Sequence, residues 1–273
     1  MPVETIYILR HGFRLNWVTS NWTSATGLPR DPPLAAFGET QAKEVADYFA
    51  SLPEDERPTA IFSSPYYRCI QTAKPVSEAL GVPIYVEHGI SEWYSPVAPG
   101  TGLHPRPSSA TSLRQYFSQI DDQAWSSIWY PSRRGEDVGQ VHDRAAGFVE
   151  AFVPEVQRRF GDAHKRVLLV SHAATVITLA RALLDDRTMP LRIACCSLTT
   201  LNKKAKAEKE VGGWEVAVLA GGVHLKEGLQ RDWGFEDIEI ADGEVIRDHG
   251  VPGTEDEIDF PVGLHLPEIS ARM

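Results

Sequence analysis

Thr5-Ile-Tyr-Ile-Leu-Arg-His-Gly12 is the stretch of this sequence that decides the fold. Its first five residues are mostly bulky and apolar, which is typical of a strand buried in a β-sheet. Arg10 and His11 follow at the carboxyl end of that strand, where open α/β sheets bind their ligands. Gly12 leaves space there for a ligand or a tight turn. Because Arg-His-Gly also occurs by chance, a plain strand-to-loop turn is an equally good interpretation of these residues alone.

Strand and helix patterns alternate along most of the chain. Strands are predicted at residues 5–9, 58–63, 82–86, 166–171, 197–202 and 214–220. Helices are predicted at residues 38–51, 67–80, 136–160 and 173–184. This alternation predicts an α/β fold, a three-layer sandwich whose central sheet is mostly parallel and has helices on both faces.

Residues 95–134 interrupt that alternation. They hold five prolines together with Trp125, Trp129 and Tyr130. A segment with so many prolines does not form a long helix, and we interpret it as a cap inserted over the site. The predicted domain therefore comprises residues 1–228 with this cap. An acidic extension, residues 229–273, follows it and is expected to be packed on the domain or partly disordered.

The net charge of −10 is concentrated at the carboxyl end of the chain. Residues 229–273 hold twelve acidic and three basic residues, so nine of the ten net negative charges lie there. Direct binding to nucleic acid needs clustered lysine and arginine and is therefore not expected. No apolar run is long enough to span a bilayer, and no secretory signal is visible. The odd count of three cysteines suits a reducing compartment, so we expect a cytoplasmic or nuclear protein.

Polar residues stand just beyond the ends of four predicted strands. In chain order they are Arg10, His11 and Arg14, then Arg68, Glu92 and His172. Taken singly, Arg68 is also explained as a surface charge and Glu92 as an acid at the start of a helix. His172 is also explained as a buried or capping histidine. In a parallel sheet, however, such positions are neighbours.

Together these residue types suit the transfer of a phosphoryl group. A neutral imidazole is a nucleophile, and guanidinium groups present paired donors to phosphoryl oxygens. A carboxylic acid such as Glu92 can protonate the leaving oxygen and later accept a proton from water. The sequence has no Cys-x-x-Cys pair and no His-Glu-x-x-His motif, so it gives no support for a metal site.

This set of residues resembles the histidine phosphatase, or phosphoglycerate-mutase-like, superfamily over roughly residues 4–185. The matching pieces are LRHG at 9–12, LxxxGxxQA at 34–42, SSPxxRCxQTA at 63–73, the acid Glu92, GE at 135–136 with Arg144, and SHA at 171–173. The resemblance implies that His11 is the residue that becomes phosphorylated. It implies that Arg10, Arg68 and His172 bind the phosphoryl oxygens, that Glu92 protonates the leaving oxygen, and that no cofactor is needed.

Phe13 and Arg14 depart from the common pattern, which has an acid and a small hydroxyl residue at these positions. The second arginine resembles the branch that acts on bulkier substrates, including protein phosphotyrosine, so Arg14 is expected to bind phosphate. The alternative is that Arg14 points to solvent or pairs with an acid in the loop 19–31. The aromatic residues of the cap also hint at a bulky phosphomonoester. The mutase pattern of paired arginines and the GxxxxGK[ST] loop are both missing, which argues against a mutase and a kinase.

Within the superfamily, the chain resembles a fungal subgroup most closely. That subgroup contains the phosphatase subunit of RNA polymerase III transcription factor IIIC and free-standing relatives of that subunit. The segments that carry this resemblance are residues 4–17, 64–72, 89–94 and 171–175. Two functions are therefore expected: a phosphatase that acts on a phosphorylated small molecule or protein, or an assembly subunit that uses the fold as a scaffold. In the second case Trp233, Phe235 and Phe260 of the acidic extension would dock on transcription factor IIIC subunits.

Overall fold

A six-stranded sheet lies at the centre of the molecule. The structure, a computed structural model, describes residues 3–238, 240–241 and 244–266. Its strands are β1 (Thr5–Arg10), β2 (Ala60–Ser63), β3 (Ile84–Val86), β4 (Trp129–Tyr130), β5 (Arg166–Ser171), β6 (Leu198–Lys203), β7 (Trp214–Gly221), β8 (Ile240–Ala241), β9 (Glu244–Val245) and β10 (Gly263–Leu264). The order in the central sheet is β3-β2-β5-β1-β6-β7, and only β6 runs antiparallel to its neighbours. The mostly parallel sheet expected from the sequence is confirmed.

Helices cover both faces of this sheet. They are α1 (Ala36–Ser51), α2 (Tyr67–Leu80), α3 (Ala110–Leu113), α4 (Val138–Phe160) and α5 (Ala173–Leu184). Val167 and Leu169 of β5 belong to the apolar core that includes residues of α4 and α5. Leu168 and Val170 belong to the core that includes residues of α1 and α2. Because successive side chains of a strand point to opposite faces, this apolar run is buried on both sides, and the three-layer sandwich is confirmed.

The predicted bounds of α2, α5 and β5 agree with the structure. α2 ends at Gly81, whose φ of 67° is the left-handed conformation that glycine adopts most easily. α4 begins at Val138, two residues later than predicted, because Asp137 is its N-cap residue. The side chain of Asp137 accepts the backbone N–H of Gln140, and the side chain of Gln140 accepts the backbone N–H of Asp137. Among the described residues, no helix has the length and apolar character needed to cross a membrane.

The cap is anchored by the buried carboxylate of Glu87, just after β3. Glu87 accepts the indole N–H of Trp125 at 2.9 Å and the backbone N–H of Ile128 at 3.0 Å. The ring of Trp125 also packs edge-on against Phe62 of β2, with centroids 4.9 Å apart. The cap is therefore joined to the core of the domain, and Trp125 is part of that core.

The described part of the acidic extension lies against the cap and the main domain. Strand β10 pairs with β4 of the cap, and Asp259 accepts hydrogen bonds from Arg106 at 3.1 Å and Ser132 at 2.6 Å. Trp233 forms an isolated β-bridge with Ile193 of the main domain. Residues 239, 242–243 and 267–273 of the predicted extension lie outside the described residues.

Candidate active site

The functional residues expected from the sequence lie at one edge of the central sheet. His11 directly follows β1, and His172 lies between β5 and α5, where it is the N-cap residue. Their ring centroids are 5.4 Å apart. Arg68 lies in the first turn of α2, and Glu92 follows a short helical turn after β3. Parallel strands bring these side chains together because their carboxyl ends meet at the same edge.

The imidazole of His11 is buried and holds a defined tautomer. Its Nδ1 lies 2.8 Å from the carbonyl oxygen of Gly12, and a carbonyl oxygen only accepts hydrogen bonds. Nδ1 therefore carries the proton, and Nε2 keeps a free lone pair. Burial, together with the charges of Arg68 and His172, holds the pKa of His11 well below its ordinary value. The ring is thus neutral and nucleophilic at physiological pH.

Arg68 is fully buried and is held on both sides. Its Nη1 donates to Asp31 at 2.8 Å, while its Nη2 donates to Glu92 at 3.0 Å and to Nδ1 of His172 at 3.0 Å. Burial acts to lower the pKa of Arg68, but Asp31 and Glu92 outweigh it and keep the guanidinium charged. Asp31 also accepts the backbone N–H of Tyr67 at 2.7 Å, which fixes the start of α2. The direction of the Arg68 side chain is therefore set before any ligand binds.

Glu92 and His172 form a coupled pair beside this guanidinium. Nδ1 of His172 lies 3.2 Å from Glu92, and its Nε2 lies 2.8 Å from the hydroxyl of Ser64. Burial lowers the pKa of His172 to about 4, although Glu92 partly opposes that shift. Burial acts to raise the pKa of Glu92, but His172, Arg68 and Arg14 outweigh it and hold that pKa below its ordinary value. Glu92 is therefore ionised at physiological pH, and a bound phosphate dianion would raise its pKa by offsetting the charges of Arg68 and Arg14.

Arg10 and Arg14 complete a strongly cationic pocket around His11. Nη1 of Arg10 donates to the carbonyl oxygen of Ile193 at 2.7 Å, and the guanidinium of Arg14 lies 4.3 Å from the ring centroid of Trp17. Both arginines line one pocket together with His11 and Glu92. Burial is the main cause that lowers the pKa of Arg14, to about 10.

Three of these guanidinium groups have a buried N–H without an acceptor. In Arg10, Arg14 and Arg68 the Nε atom is buried and has no hydrogen-bond partner. Buried donors without partners are costly, so their grouping around one imidazole indicates a site for an anion with several oxygens. A tetrahedral phosphoryl group has that shape and charge.

One group of side chains in the pocket has the spacing of metal ligands. His11, Glu92 and His172 each offer a ligand atom, and these atoms lie within 4.8 Å of one another. The guanidinium groups of Arg14 and Arg68 lie close enough to lower the pKa of both His11 and His172. Since the same positive charges oppose a divalent cation, the electrostatics favour an anion at this position.

Comparison with known proteins identifies the family of the chain that carries this arrangement. Residues 6–212 match the family model of the histidine phosphatase superfamily (branch 1). The chain belongs to the histidine phosphatase superfamily. The resemblance expected from the sequence is therefore confirmed.

Two curated relatives of this chain are larger proteins. The chain is 39% identical over 209 residues to the transcription factor tau 55 kDa subunit of Saccharomyces cerevisiae. The match covers 72% of this chain and 47% of that protein. It is 29% identical over 199 residues to the ubiquitin-associated and SH3 domain-containing protein A of Homo sapiens, covering 68% of this chain and 28% of that protein. The chain spans about half the length of the first relative, and the expected resemblance to a transcription factor IIIC subunit is confirmed.

Solved structures share the fold of this chain. The ecdysone phosphate phosphatase of Bombix mori, in complex with tungstate, superposes with a TM-score of 0.61 at 19% identity, over 79% of this chain and 92% of that one. A mycobacterial glucosyl-3-phosphoglycerate phosphatase superposes with a TM-score of 0.51 at 21% identity, over 80% and 99% of the two chains. At these identities the likeness establishes the shared fold.

Several motif residues shape the loop after β1. A Cβ atom on Gly38 would lie 2.2 Å from the carbonyl oxygen of Phe13, and one on Gly12 would lie 2.7 Å from that of Gly38. The side chain of Gln41 accepts the N–H of Phe13 at 3.0 Å, and the hydroxyl of Thr72 accepts the N–H of Gly12 at 3.0 Å. The motifs that supply these side chains thus position the loop that contains His11.

Other motif residues hold the loop that carries Glu92. The hydroxyl of Thr175 donates to the carbonyl oxygen of Ser91 at 2.8 Å. Nε of Arg144 donates to Glu136 at 2.8 Å, and its Nη1 donates to a backbone carbonyl of the same loop at 2.7 Å. The GE motif and its arginine therefore orient the acid that lies beside His172.

Sequence reasoning missed two residues that contact the site. Ser64, beside His172, lies inside the SSPxxRCxQTA motif, so the motif itself could have indicated it. Asp31, the buried partner of Arg68, stands directly before two prolines. No periodicity or spacing connects Asp31 with a residue so far along the chain, and only the fold brings the two together.

The expected role of the aromatic residues of the cap is wrong. Trp125 is buried in the core, and the aromatic side chains in the pocket that contains His11 are Trp93 and Trp233. The cap instead lines a smaller cavity behind Glu92, with His104 among its lining residues. The reason is that Glu87 draws the aromatic part of the cap inward, away from the phosphate pocket.

The expected docking role of the acidic extension also needs correction. The rings of Trp233 and Phe235 are partly buried against the apolar core and lie 5.2 Å apart. Phe260 remains 70% exposed. Of the three aromatic residues, Phe260 is therefore the one whose side chain is mainly accessible to a partner.

Proposed function

We propose that this chain is a phosphomonoesterase that acts through a phosphohistidine at His11. The observation that carries the proposal is the neutral imidazole, with Nε2 unprotonated, among arginine donors that lack acceptors. Phosphoryl transfer depends mainly on positioning and on neutralising the equatorial oxygens, and this pocket supplies both.

The proposed reaction has two steps. In the first, Nε2 of His11 attacks phosphorus, the bond to the leaving oxygen breaks, and Glu92 gives that oxygen a proton. In the second, water attacks phosphorus, the P–N bond breaks, and Glu92 takes the proton from water. Arg10, Arg68 and His172 hold the phosphoryl oxygens in both steps, as the family resemblance implies.

No step of this reaction requires a metal ion or a cofactor. The arginines supply the positive charge that a divalent cation provides in other phosphatases. We expect full activity in the presence of EDTA and no gain on adding Mg²⁺. Vanadate or tungstate should inhibit by occupying the pocket of Arg10 and Arg68. Activity that is lost on chelation and restored by Mg²⁺ would contradict this mechanism.

The decisive experiment compares two histidine variants with p-nitrophenyl phosphate as substrate. His11→Ala should abolish turnover and the acid-labile phosphoenzyme trapped by rapid quenching. His249→Ala is the matched control, because that residue is exposed and lies outside the pocket, and it should behave as the wild type. Equal turnover in His11→Ala and the wild type would overturn the proposal.

The substrate class that we propose is a bulky phosphomonoester, on a small molecule or on a protein, including phosphotyrosine. Arg14 supports this, because it adds a third guanidinium to those of Arg10 and Arg68 near His11. A panel of phosphorylated small molecules and phosphopeptides, ranked by kcat/KM, tests it. Preference for a small sugar phosphate would exclude this class.

A second candidate function is that of an assembly subunit in the nucleus, with transcription factor IIIC subunits as partners. It is favoured by the 39% identity to the transcription factor tau 55 kDa subunit. A strip of apolar side chains in the extension is also exposed, namely Ile258, Phe260, Val262, Leu264 and Leu266. Tagged wild-type chain should then recover tau subunits from a fungal extract, and Phe260→Asp should not. In neither function do we propose that this chain itself contacts nucleic acid.

A further inference from the structure

Residues 230–235 of the carboxyl-terminal extension return to the phosphate pocket. The backbones of Ile193 and Trp233 exchange two hydrogen bonds, of 2.9 and 3.1 Å. The N–H of Cys195 donates to the carbonyl oxygen of Gln230 at 2.9 Å. This segment therefore forms a short ladder with the chain that precedes β6. It also lies beyond residues 6–212, the part that matches the family model.

The backbone of this segment holds an arginine of the pocket. Nη1 of Arg10 donates to the carbonyl oxygen of Arg231 at 2.5 Å, in addition to that of Ile193. The position of Arg10 thus depends on a main-chain atom of the extension. A substitution of the Arg231 side chain leaves that carbonyl group in place, so side-chain and backbone roles can be tested separately.

The side chain of Trp233 forms an aromatic wall of the pocket. It lines the same pocket as Arg10, His11 and Arg14. Its ring lies 6.4 Å from that of Trp93, which lines the pocket as well. Two indoles beside a phosphate position provide a flat apolar surface for the group that the phosphate is attached to.

The guanidinium of Arg231 lies beside the ring of Trp17, which also contacts Arg10 and Arg14 of the pocket. It is 5.3 Å from the ring centroid of Trp17 and 5.7 Å from that of Phe13, and the residue is exposed. In the described part of the chain, no carboxylate lies within ion-pair distance of Arg231, whereas Arg192 pairs with two aspartates. Arg231 is therefore a cation available to a ligand.

We infer that Trp233 and Arg231 select the leaving group, and that the preferred substrate is an aryl phosphate with a second negative charge. The aromatic ring lies on the indole of Trp233, and its second anionic group faces the guanidinium of Arg231. The inference rests on the proposed phosphatase function and assigns the selectivity to residues outside the family match. The phosphate itself is held by the arginines around His11.

Three substrates separate the two side chains: ethyl phosphate, phenyl phosphate and 4-carboxyphenyl phosphate. Trp233→Leu should lower kcat/KM for both aryl phosphates about tenfold, as expected for loss of aromatic stacking, and leave ethyl phosphate unchanged. Arg231→Ala should lower kcat/KM for 4-carboxyphenyl phosphate about fivefold, as expected for one exposed charge pair, and leave phenyl phosphate unchanged. Lys226→Ala is the matched control, since it removes an exposed charge from the same region and should affect no substrate.

Binding measurements make the test independent of turnover. Calorimetry with phenylphosphonate and ethylphosphonate should show tighter binding of the phenyl compound to the wild type and loss of that preference in Trp233→Leu. This result would support the inference even if the chain hydrolysed no phosphate ester. A lack of hydrolysis would overturn the proposed function but not the inference about Trp233. Equal binding of the two phosphonates to the wild type, or an equal effect of Trp233→Leu on all three substrates, would overturn the inference.

Discussion

Glu92 has a pKa below its ordinary value in the empty site, yet the proposed reaction needs it as an acid. This requirement makes the effect of Glu92→Gln depend on the leaving group. We expect kcat for p-nitrophenyl phosphate to fall only a few-fold, because p-nitrophenolate leaves without a proton. For phenyl phosphate the fall should be at least about 100-fold, the typical contribution of general acid catalysis.

The check for Glu92 is a plot of log kcat against the pKa of the leaving phenol. The wild type should give a nearly flat line and Glu92→Gln a steep negative slope. Parallel lines for the two enzymes would show that Glu92 gives no proton to the leaving oxygen. In that case its contacts with Arg68 and His172 would have only a positioning role.

Arg14 is the residue at which the chain departs most clearly from the common family pattern. Its buried Nε has no acceptor and it lines the pocket, so it does not pair with an acid of the loop 19–31. We expect Arg14→Ala to cost about 2–4 kcal/mol in kcat/KM, as for the loss of one charged donor to a transition state. Arg187→Ala, an exposed arginine paired with Asp143, is the control. Unchanged kcat/KM in Arg14→Ala would remove Arg14 from the site.

At the scale of elements, the loop between β3 and the cap depends on α5 for its position. Thr175 donates its hydroxyl to the carbonyl oxygen of Ser91, next to Glu92. Thr175→Val keeps the shape of the side chain but removes this hydrogen bond, so the carbonyl oxygen of Ser91 keeps only the longer contact with Nη1 of Arg144, at 3.4 Å. We expect kcat for phenyl phosphate to fall about tenfold and the free energy of unfolding to fall by about 1 kcal/mol.

The matched control for this loop is Thr178→Val. Thr178 is also buried in α5, but its hydroxyl donates to a carbonyl oxygen of the same helix. It should reduce stability by a similar amount and leave kcat unchanged. If both variants lowered kcat equally, the effect would come from α5 as a whole, and the contact with Ser91 would have no special part in orienting Glu92.

The cap is joined to the domain through a carboxylate whose ionisation opposes folding. Burial raises the pKa of Glu87 from 4.5 to about 7, against the four N–H donors that favour its charged form. An acid with a raised pKa in the folded state makes the protein less stable as pH rises from about 4.5 to about 7. The difference in unfolding free energy between wild type and Glu87→Gln should therefore fall across that range by on the order of 3 kcal/mol.

Urea unfolding of both proteins at several pH values measures this difference. Taking the difference cancels the contribution of the buried histidines to the pH dependence. Their lowered pKa values reduce stability in both proteins as pH falls below 6.5. Glu54→Gln, which replaces an exposed acid, is the control for the substitution itself. A difference for Glu87→Gln that stayed constant with pH would show that Glu87 does not change its charge in this range.

At the scale of the whole molecule, the sequence predicts those features of the fold and the site that depend on local sequence patterns. The continuous apolar run of β5 and the alternation of strand and helix patterns along the chain predict the sandwich, because a strand buried on both faces has apolar residues throughout. The strand-end rule predicts that His11 and His172 are neighbours. The same reasoning does not reveal the roles of Asp31, Glu87 and Trp233, because these residues act through contacts with distant parts of the chain. Pairings of this kind have no period and become visible only when the chain has folded.

The contact between Arg10 and the carbonyl oxygen of Arg231 joins residues 221 positions apart. During translation the ribosome makes His11 and its surrounding arginines early, and the wall that closes their pocket emerges long afterwards. A nascent chain released before residue 231 would contain the reacting groups but lack the carbonyl oxygen that holds Arg10 and the indole of Trp233. The pocket is therefore completed late in synthesis, after most of the sandwich has been made.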